Sequence, residues 1–300
     1  MKRAILFMIL FLSAILYNCS MKQKEHHNTI REQQKESIST FSVKLLWSTP
    51  PILSTPESVI FDSRKDYIYV ASMGGNNPGE KDRDGFISKL SLQGEILELH
   101  WIDKLNDPKG MGIVGSYLYV TDITEILKID IAEKKVIERF PIEGAKFLND
   151  IDVDSQGTIY FTDMRDNKVY ALQNDAIKLL SDSKELESPN GLYFDNGRLL
   201  IGCSGYMLAM NPETGSLTRF VENTGGVDGI KKYDTNRYLI TDWSGMTHIV
   251  QPGKSKILLL DTKAQNINAA DLGYIPQKRV MLIPTFSDNR VMAYKIAETR

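Results

Sequence analysis

Apolar and polar residues alternate along most of this chain, and Gly, Asn and Asp interrupt the alternation about every ten residues. The stretch that starts at Glu187, ESPNGLYFDNGRLLIGCSG, shows the unit: an apolar run, an Asp-Asn-Gly turn and a second apolar run. Alternation with a period of two predicts β-strands, and the short polar turn predicts an antiparallel hairpin. The helical period of 3.6 fits poorly, so the pattern predicts an all-β fold.

The same hairpin recurs six times, and two further strand-like runs follow most copies. Successive copies are separated by 38 to 52 residues, and four strands in such a period are typical of a β-propeller blade. Aligning the copies gives equivalent positions at Glu57, Lys109, Asn149, Asn190, Asp228 and Asp271.

The last repeat, which ends in NRVMAYKI from Asn289, has no fourth strand behind it. The segment SVKLLWST from Ser42 precedes the first repeat and can supply the missing strand. Such closure removes the exposed sheet edges that favour aggregation. We therefore predict a six-bladed β-propeller over residues 42–300, with four-stranded antiparallel blades and the N-terminal strand closing the last blade. Seven blades or a β-sandwich are the alternatives.

Residues 1–18 differ from the rest: MKR is positively charged and AILFMILFLSAIL is apolar. This shape is typical of a secretory signal peptide, and it is short for a membrane span. The sequence from Leu16 to Cys19 resembles a bacterial lipobox, which implies a lipid on Cys19. The polar residues 19–41 then form a flexible tether. We expect a lipid anchor in the bacterial cell envelope, on the periplasmic or outer face; an uncleaved anchor or an ordinary secretion signal is the alternative.

Composition excludes several functions. The formal net charge is -2, so the chain has no excess of positive charge of the kind that favours nucleic-acid binding. Cys203 is the one thiol in the repeat region, so a disulfide within that region is impossible. It stands where three other repeats have Asp, and we interpret it as a packing residue. None of the four His lies at a repeat position, which disfavours a His-based zinc site or a catalytic triad.

Equivalent positions at the start of each innermost strand converge on the channel axis of a propeller. In this chain they carry carboxylate, amide and ammonium groups. Neighbouring carboxylates repel one another and their pKa values rise unless a cation lies between them. Oxygen donors from Asp, Glu and Asn suit a hard cation such as Ca²⁺. The pattern therefore predicts a divalent metal site, with Ca²⁺ favoured.

Four motifs at blade spacing carry a resemblance: PES at Glu57, LND at Asn149, PNG at Asn190 and VDG at Asp228. The pattern over residues 42–297 resembles the family of gluconolactonases, senescence marker protein (regucalcin), diisopropylfluorophosphatase and paraoxonases. The resemblance implies a six-bladed propeller whose channel mouth holds a divalent metal on these four side chains. It also implies a hydrolase of small lactones or related esters, in which we assign Asp228 as general base or nucleophile.

Two departures from the family leave alternatives open. Phe147 stands where gluconolactonase-like members often have a substrate-binding Arg. Lys109 places an ammonium in the ring, where it repels a metal ion; it either turns aside to pair with Asp271 or Glu57, or replaces the metal. The alternative function is a non-catalytic propeller that binds a ligand or protein, with a structural ion or Lys109 in the central channel.

The first repeat contains an insertion, SMGGNNPGEKDRDG from Ser72, between its second and third strands. This connection emerges at the same mouth as Glu57. Asn76 and Asn77 are therefore accessory candidates for ligand contact, and a plain surface excursion is the alternative.

Overall fold

The computed structural model describes residues 40–75 and 77–299. These residues form six four-stranded sheets in a ring, which confirms the predicted six-bladed β-propeller. Five sheets are built from consecutive strands, and the sixth joins the last three strands of the chain to the N-terminal strand, as predicted. Among the described residues, no helix is both long and apolar enough to span a membrane.

Residues Ser42–Ala297 form one compact unit. The second unit, Met1–Phe41 with Glu298–Arg300, lies almost entirely outside the described residues. The predicted signal peptide, the lipid-bearing Cys19 and nearly all of the predicted tether also lie outside them.

The first three blades each run from the channel outward in chain order. Their strands are β2 (Pro56–Asp62), β3 (Tyr67–Ser72), β4 (Gly85–Ser91), β5 (Ile96–Leu105), β6 (Pro108–Val114), β7 (Tyr117–Asp122), β8 (Glu125–Asp130), β9 (Lys135–Pro141), β10 (Leu148–Val153), β11 (Ile159–Asp163), β12 (Lys168–Gln173) and β13 (Ala176–Ser181).

The last three blades repeat this plan, with short 3-10 helices at Lys263–Gln265, Pro276–Lys278 and Phe286–Asp288. Their strands are β14 (Leu192–Asp195), β15 (Arg198–Gly202), β16 (Ser204–Met210), β17 (Leu217–Gly226), β18 (Ile230–Lys232), β19 (Tyr238–Asp242), β20 (Met246–Val250), β21 (Ile257–Asp261), β22 (Gly273–Ile275), β23 (Val280–Pro284), β24 (Val291–Thr299) and β1 (Thr40–Ser48).

The hydrophobic core is divided into clusters between neighbouring blades. Ile87 of the first blade packs in one cluster with Leu127 of the second, and Ile126 of the second packs in another with Phe161 of the third. Each of these side chains is fully buried, and burial of one such side chain stabilises the fold by about 1.5–3 kcal/mol. The alternating strands thus bury one face against each neighbour, which fixes the ring that positions the channel.

Closure of the ring rests on hydrogen bonds next to β1. The Thr49 N–H donates to the Val291 carbonyl at 3.0 Å, and the Thr49 hydroxyl accepts from the Val291 N–H at 3.0 Å. The Trp47 indole N–H donates to the Leu92 carbonyl of the first blade at 3.1 Å. The N-terminal strand therefore joins the last blade to the first.

Candidate functional site

The first residue positions of the innermost strands form a ring at one channel mouth. Strand pairing puts Pro56, Pro108 and Leu148 opposite the last residues of β3, β7 and β11, so Glu57, Lys109 and Asn149 occupy equivalent positions. In the later blades, Asn190 N–H donates to Gly202 O at 2.9 Å and Asp228 N–H to Thr241 O at 2.9 Å.

The sixth ring position belongs to Ala270, whose N–H makes the equivalent bond to Pro284 O at 3.0 Å. The predicted assignment of this position to Asp271 was therefore wrong by one residue. Asp271 lies in the next layer of the channel, and its N–H donates to Glu57 O at 3.0 Å. A methyl group thus replaces one of the six polar groups predicted for the ring.

Threonine hydroxyls hold the ring residues from the preceding blade. Thr121 donates to the Asn149 carbonyl at 2.6 Å, and Thr162 donates to the Asn190 carbonyl at 3.0 Å. Thr241 makes the same bond to the backbone of the sixth blade, at 2.8 Å. These bonds fix the backbone from which each ring side chain enters the channel.

In β7 and β11, the Asp that follows this Thr accepts hydrogen bonds from the loop that leads into the innermost strand of the same blade. Asp122 accepts the backbone N–H of Asp107 at 2.6 Å. Asp163 accepts the N–H of Phe147 at 3.0 Å and that of Lys146 at 2.7 Å. The repeated Thr-Asp pair therefore positions both the ring residue and the loop beside it.

The Gly of the PNG and VDG motifs is required by crowding at the axis. A Cβ on Gly191 would lie 2.4 Å from the Asp228 carbonyl oxygen. A Cβ on Gly229 would lie 2.5 Å from Oδ1 of Asp271. A real Cβ keeps a greater distance from its neighbours, so only Gly lets Asn190 and Asp228 stand this close to the next blade.

All four predicted metal ligands line one open cavity of about 420 Å³ at the channel mouth. Their polar groups share it with an apolar wall of Met and aromatic side chains, as expected of small-molecule sites. The lining residues are Glu57, Met73, Pro78, Lys109, Phe147, Asn149, Met164, Arg165, Asn190, Asp228, Trp243 and Phe286.

Three of these ligands carry buried oxygens without a hydrogen-bond partner: Oε2 of Glu57, Oδ1 of Asn190 and Oδ1 of Asp228. Such groups are costly unless something satisfies them. Two carboxylates and two amides are donors that Ca²⁺ accepts, so these residues fit a divalent cation. No cluster of three or more His, Cys, Asp or Glu suited to a metal occurs in the described part of the chain, and this donor set has only two such residues.

The four predicted ligands, Glu57, Asn149, Asn190 and Asp228, form what we call the floor of the cavity. Burial raises the pKa of the two carboxyl groups among them. For Asp228, desolvation first and then Asp271 and Asp242 raise the pKa to about 8, against a hydrogen bond from Asn190. For Glu57, desolvation and then Asp228 raise the pKa well above its usual value. Lys109 lowers the pKa of Glu57 in part, whereas no cation of the chain lowers that of Asp228.

The Lys109 side chain turns away from the other ring residues, but its partner is neither of the two predicted carboxylates. Its Nζ lies 2.8 Å from Oδ2 of Asp107 and 4.1 Å from the ring centroid of Phe147. Neither Asp271 nor Glu57 forms this ion pair. Because Asp107 neutralises the ammonium, the oxygens of the floor stay free for another cation.

A second charged layer lies beneath the ring. The Lys231 ammonium is 3.4 Å from Asp271, and Asp150 and Asp152 also interact with it electrostatically. Although burial opposes it, Asp271 first and then the other two carboxylates raise the pKa of Lys231. Asp150 and Asp152 also accept backbone N–H groups of Leu192 and of Phe194 in the next blade, at 2.6 Å and 2.5 Å.

The insertion of the first blade joins β3 to β4, as predicted. Asn77 is exposed and does not line the cavity, whereas Pro78 does; Asn76 lies outside the described residues. The Gly79 N–H donates to Oδ2 of Asp107 at 2.7 Å, which ties the insertion to the site.

Cys203 is buried and lines a smaller cavity of about 180 Å³ beside Asn190 and Asp228. Burial raises the pKa of its thiol to about 12, so it is protonated near neutral pH. This is the behaviour of a packing residue.

Four residues at the site were not predicted from the sequence: Asp107, Arg165, Trp243 and Phe286. Asp107 precedes the ring residue Lys109 by two positions, which is the one sequence signal that could have found it. The others lie in loops on different blades, and their meeting depends on the assembled ring.

No known protein family and no curated protein matches this chain. Solved structures do match. A streptogramin B lyase is 11% identical with a TM-score of 0.63, over 86% of this chain and 98% of that one. A catalytically inactive virginiamycin B lyase from Staphylococcus aureus, solved with quinupristin, is 12% identical with a TM-score of 0.59, over 85% and 99%. A chain of a nidogen/laminin complex is 18% identical with a TM-score of 0.56, over 70% and 84%. At these identities the likeness shows the fold: the chain is a β-propeller.

Replacing Lys109 tests its effect on the cation site. Lys109→Met removes a positive charge near the floor, so we expect Ca²⁺ affinity to rise about tenfold or more in calorimetric titration. Asp107→Asn leaves the ammonium unpaired and should weaken Ca²⁺ binding. Lys128→Met is the control, since Lys128 also pairs with a carboxylate (Glu138) and lies over an aromatic ring, outside the cavity. Unchanged or weaker Ca²⁺ binding in Lys109→Met would contradict this electrostatic account.

Replacing Lys231 tests the second layer. Lys231→Met leaves three carboxyl groups without their cation, and we expect the free energy of unfolding at pH 8 to fall by about 2 kcal/mol or more. The pKa of Asp152 is already raised, by burial, to about 6 in the folded protein. Raised carboxyl pKa values favour the folded state at low pH, so the loss should be smaller at pH 5. Urea unfolding measures both values, with Lys65→Met, at an exposed turn position, as control; equal losses at the two pH values would refute the assignment.

Proposed function

We propose that this protein is a metal-dependent hydrolase of lactones or related esters, with Ca²⁺ as the favoured ion. The observation that carries the proposal is the set of unpartnered oxygens on Glu57, Asn190 and Asp228 in one cavity with Asn149. The gluconolactonase and regucalcin resemblance of the four motifs supports the same ligand set. The bound ion would polarise a carbonyl and stabilise the oxyanion formed on attack.

Asp228 is the residue we assign to proton transfer. Its Oδ1 is buried in the site without a hydrogen-bond partner, and a cation bound beside it would favour the ionised carboxylate, which can take a proton from an attacking water. Asn190 donates a hydrogen bond to this carboxyl group and so orients it. Glu57 supplies charge to the floor, and Asn149 supplies a neutral oxygen.

The apolar wall defines where the substrate body lies. Trp243 is half exposed and stands edge-on to Phe286, with ring centroids 5.6 Å apart. Met73 and Met164 complete this apolar wall. A small ester or lactone with an apolar body fits a cavity of about 420 Å³.

A lyase that depends on His receives no support from this site. The virginiamycin B lyase in the comparison carries a His-to-Ala substitution and is catalytically inactive. Here no His is among the residues that line the described cavity. His248, in β20, is buried, and burial lowers its pKa to about 4.

The second candidate function is a binding propeller without turnover. The half-exposed Trp243 beside an apolar wall would retain an apolar ligand whether or not the ligand reacts. Turnover separates the two functions, because a binding protein would hold ligand and cation without releasing product.

Asp228→Asn tests the hydrolase proposal. The amide keeps the size of the side chain but cannot accept the proton, so hydrolysis of lactones and aryl esters should fall at least about 100-fold. Initial rates on a panel of both substrate types, with added CaCl₂, give the measurement, and thermal unfolding checks the fold. Asn211→Asp, in an exposed turn outside the cavity, is the control. Full activity in Asp228→Asn removes the mechanism, and no turnover by the wild type favours the binding function.

We further propose that Cys19 carries a lipid that anchors the propeller in a bacterial cell envelope. The proposal rests on the lipobox-like sequence from Leu16 to Cys19. Mass spectrometry of protein from the membrane fraction should show an added lipid mass that is lost in Cys19→Ser. An unmodified soluble product from the intact gene would refute the anchor.

A further inference from the structure

Arg165 lies on the wall of the candidate cavity, in the turn between β11 and β12. Its guanidinium carbon is 4.1 Å from the ring centroid of Phe147. Its Nη1 is 3.4 Å from the position that a Cβ on Gly79 would occupy. The Asp163 carboxylate accepts the Arg165 backbone N–H at 3.2 Å. Ring, loop and backbone thus all restrict where this guanidinium can lie.

No described acidic side chain pairs with this guanidinium. Asp166, the acid next to it in sequence, is held by Lys146 and Lys168. Asp107 is held by Lys109, and the Asp163 carboxylate accepts backbone N–H groups. These three acids are therefore committed to other partners, and the positive charge of Arg165 is left for a ligand.

A guanidinium stacked on an aromatic ring keeps its N–H donors in a planar fork, which matches a carboxylate. In the proposed hydrolase the residues Glu57 and Asp228 hold the cation that faces the reacting carbonyl, so a second, remote anionic group of the substrate is favoured beside Arg165. Apolar side chains of Met164, Trp243 and Phe286 line the same cavity.

We propose that the substrate is an apolar ester or lactone bearing a carboxylate at the end remote from the reacting carbonyl, and that Arg165 determines this specificity. The proposal rests on the proposed hydrolase function. It deepens that function by naming the substrate class.

Matched substrates test the proposal. The ratio of kcat/KM for 4-acetoxybenzoate to that for the neutral 4-acetoxybenzamide should fall about tenfold in Arg165→Met and further in Arg165→Glu. Arg165→Lys should restore part of the ratio. Arg219→Met is the control, since Arg219 is an arginine stacked on Tyr206 at 3.3 Å, outside the cavity, and should leave the ratio unchanged. An equal ratio in wild type and Arg165→Met overturns the assignment.

A binding measurement separates this proposal from the hydrolase proposal. Cyclohexylacetate and the neutral cyclohexylacetamide are titrated against the fluorescence of Trp243, with Trp243→Phe identifying the signal. We expect the carboxylate to bind more tightly than the amide with or without EDTA, and the preference to fall about tenfold in Arg165→Met. This result supports the carboxylate site even if no ester is hydrolysed. A preference that EDTA abolishes and Arg165→Met leaves intact assigns the carboxylate to the metal and overturns the role of Arg165.

Discussion

Hydrogen bonds between neighbouring blades fix the channel mouth, and the candidate site depends on them. Thr121 and Thr162 each hold the backbone carbonyl of the ring residue in the next blade. Asn149 and Asn190 must therefore face the axis with Glu57 and Asp228, whatever the electrostatic cost. The cost is visible as oxygens without partners and as raised carboxyl pKa values. A divalent cation is the simplest group that offsets it.

The two layers of the channel differ in how the electrostatic cost of their buried carboxyl groups is offset. Beneath the ring, Lys231 supplies an ammonium to Asp271, Asp150 and Asp152. Among the six described ring positions the only ammonium belongs to Lys109, and it forms an ion pair with Asp107. The inner layer is thus compensated by the chain itself, whereas the mouth is open both to a cation and to a ligand. This difference between layers is what suggests function at the mouth.

Much of this was predictable because the repeats align. Period-two alternation and the blade spacing predicted the fold, and Glu57, Asn149, Asn190 and Asp228 were found by motif and position. The sixth repeat, NAADLG, has an Asp one residue past the ring position, so alignment by residue type chose Asp271 over Ala270. Arg165 could not be predicted, because its place beside Phe147 depends on loops that meet only in the folded ring.

The central claim is that a cation binds between the oxygens of Glu57, Asn149, Asn190 and Asp228. A crystal structure of the protein grown with CaCl₂ tests it most directly, with anomalous scattering to identify the ion. The account predicts one calcium peak at the channel mouth, in contact with these side chains and apart from the Lys109 ammonium. Water alone at that position, or the Lys109 nitrogen in place of the ion, would contradict it.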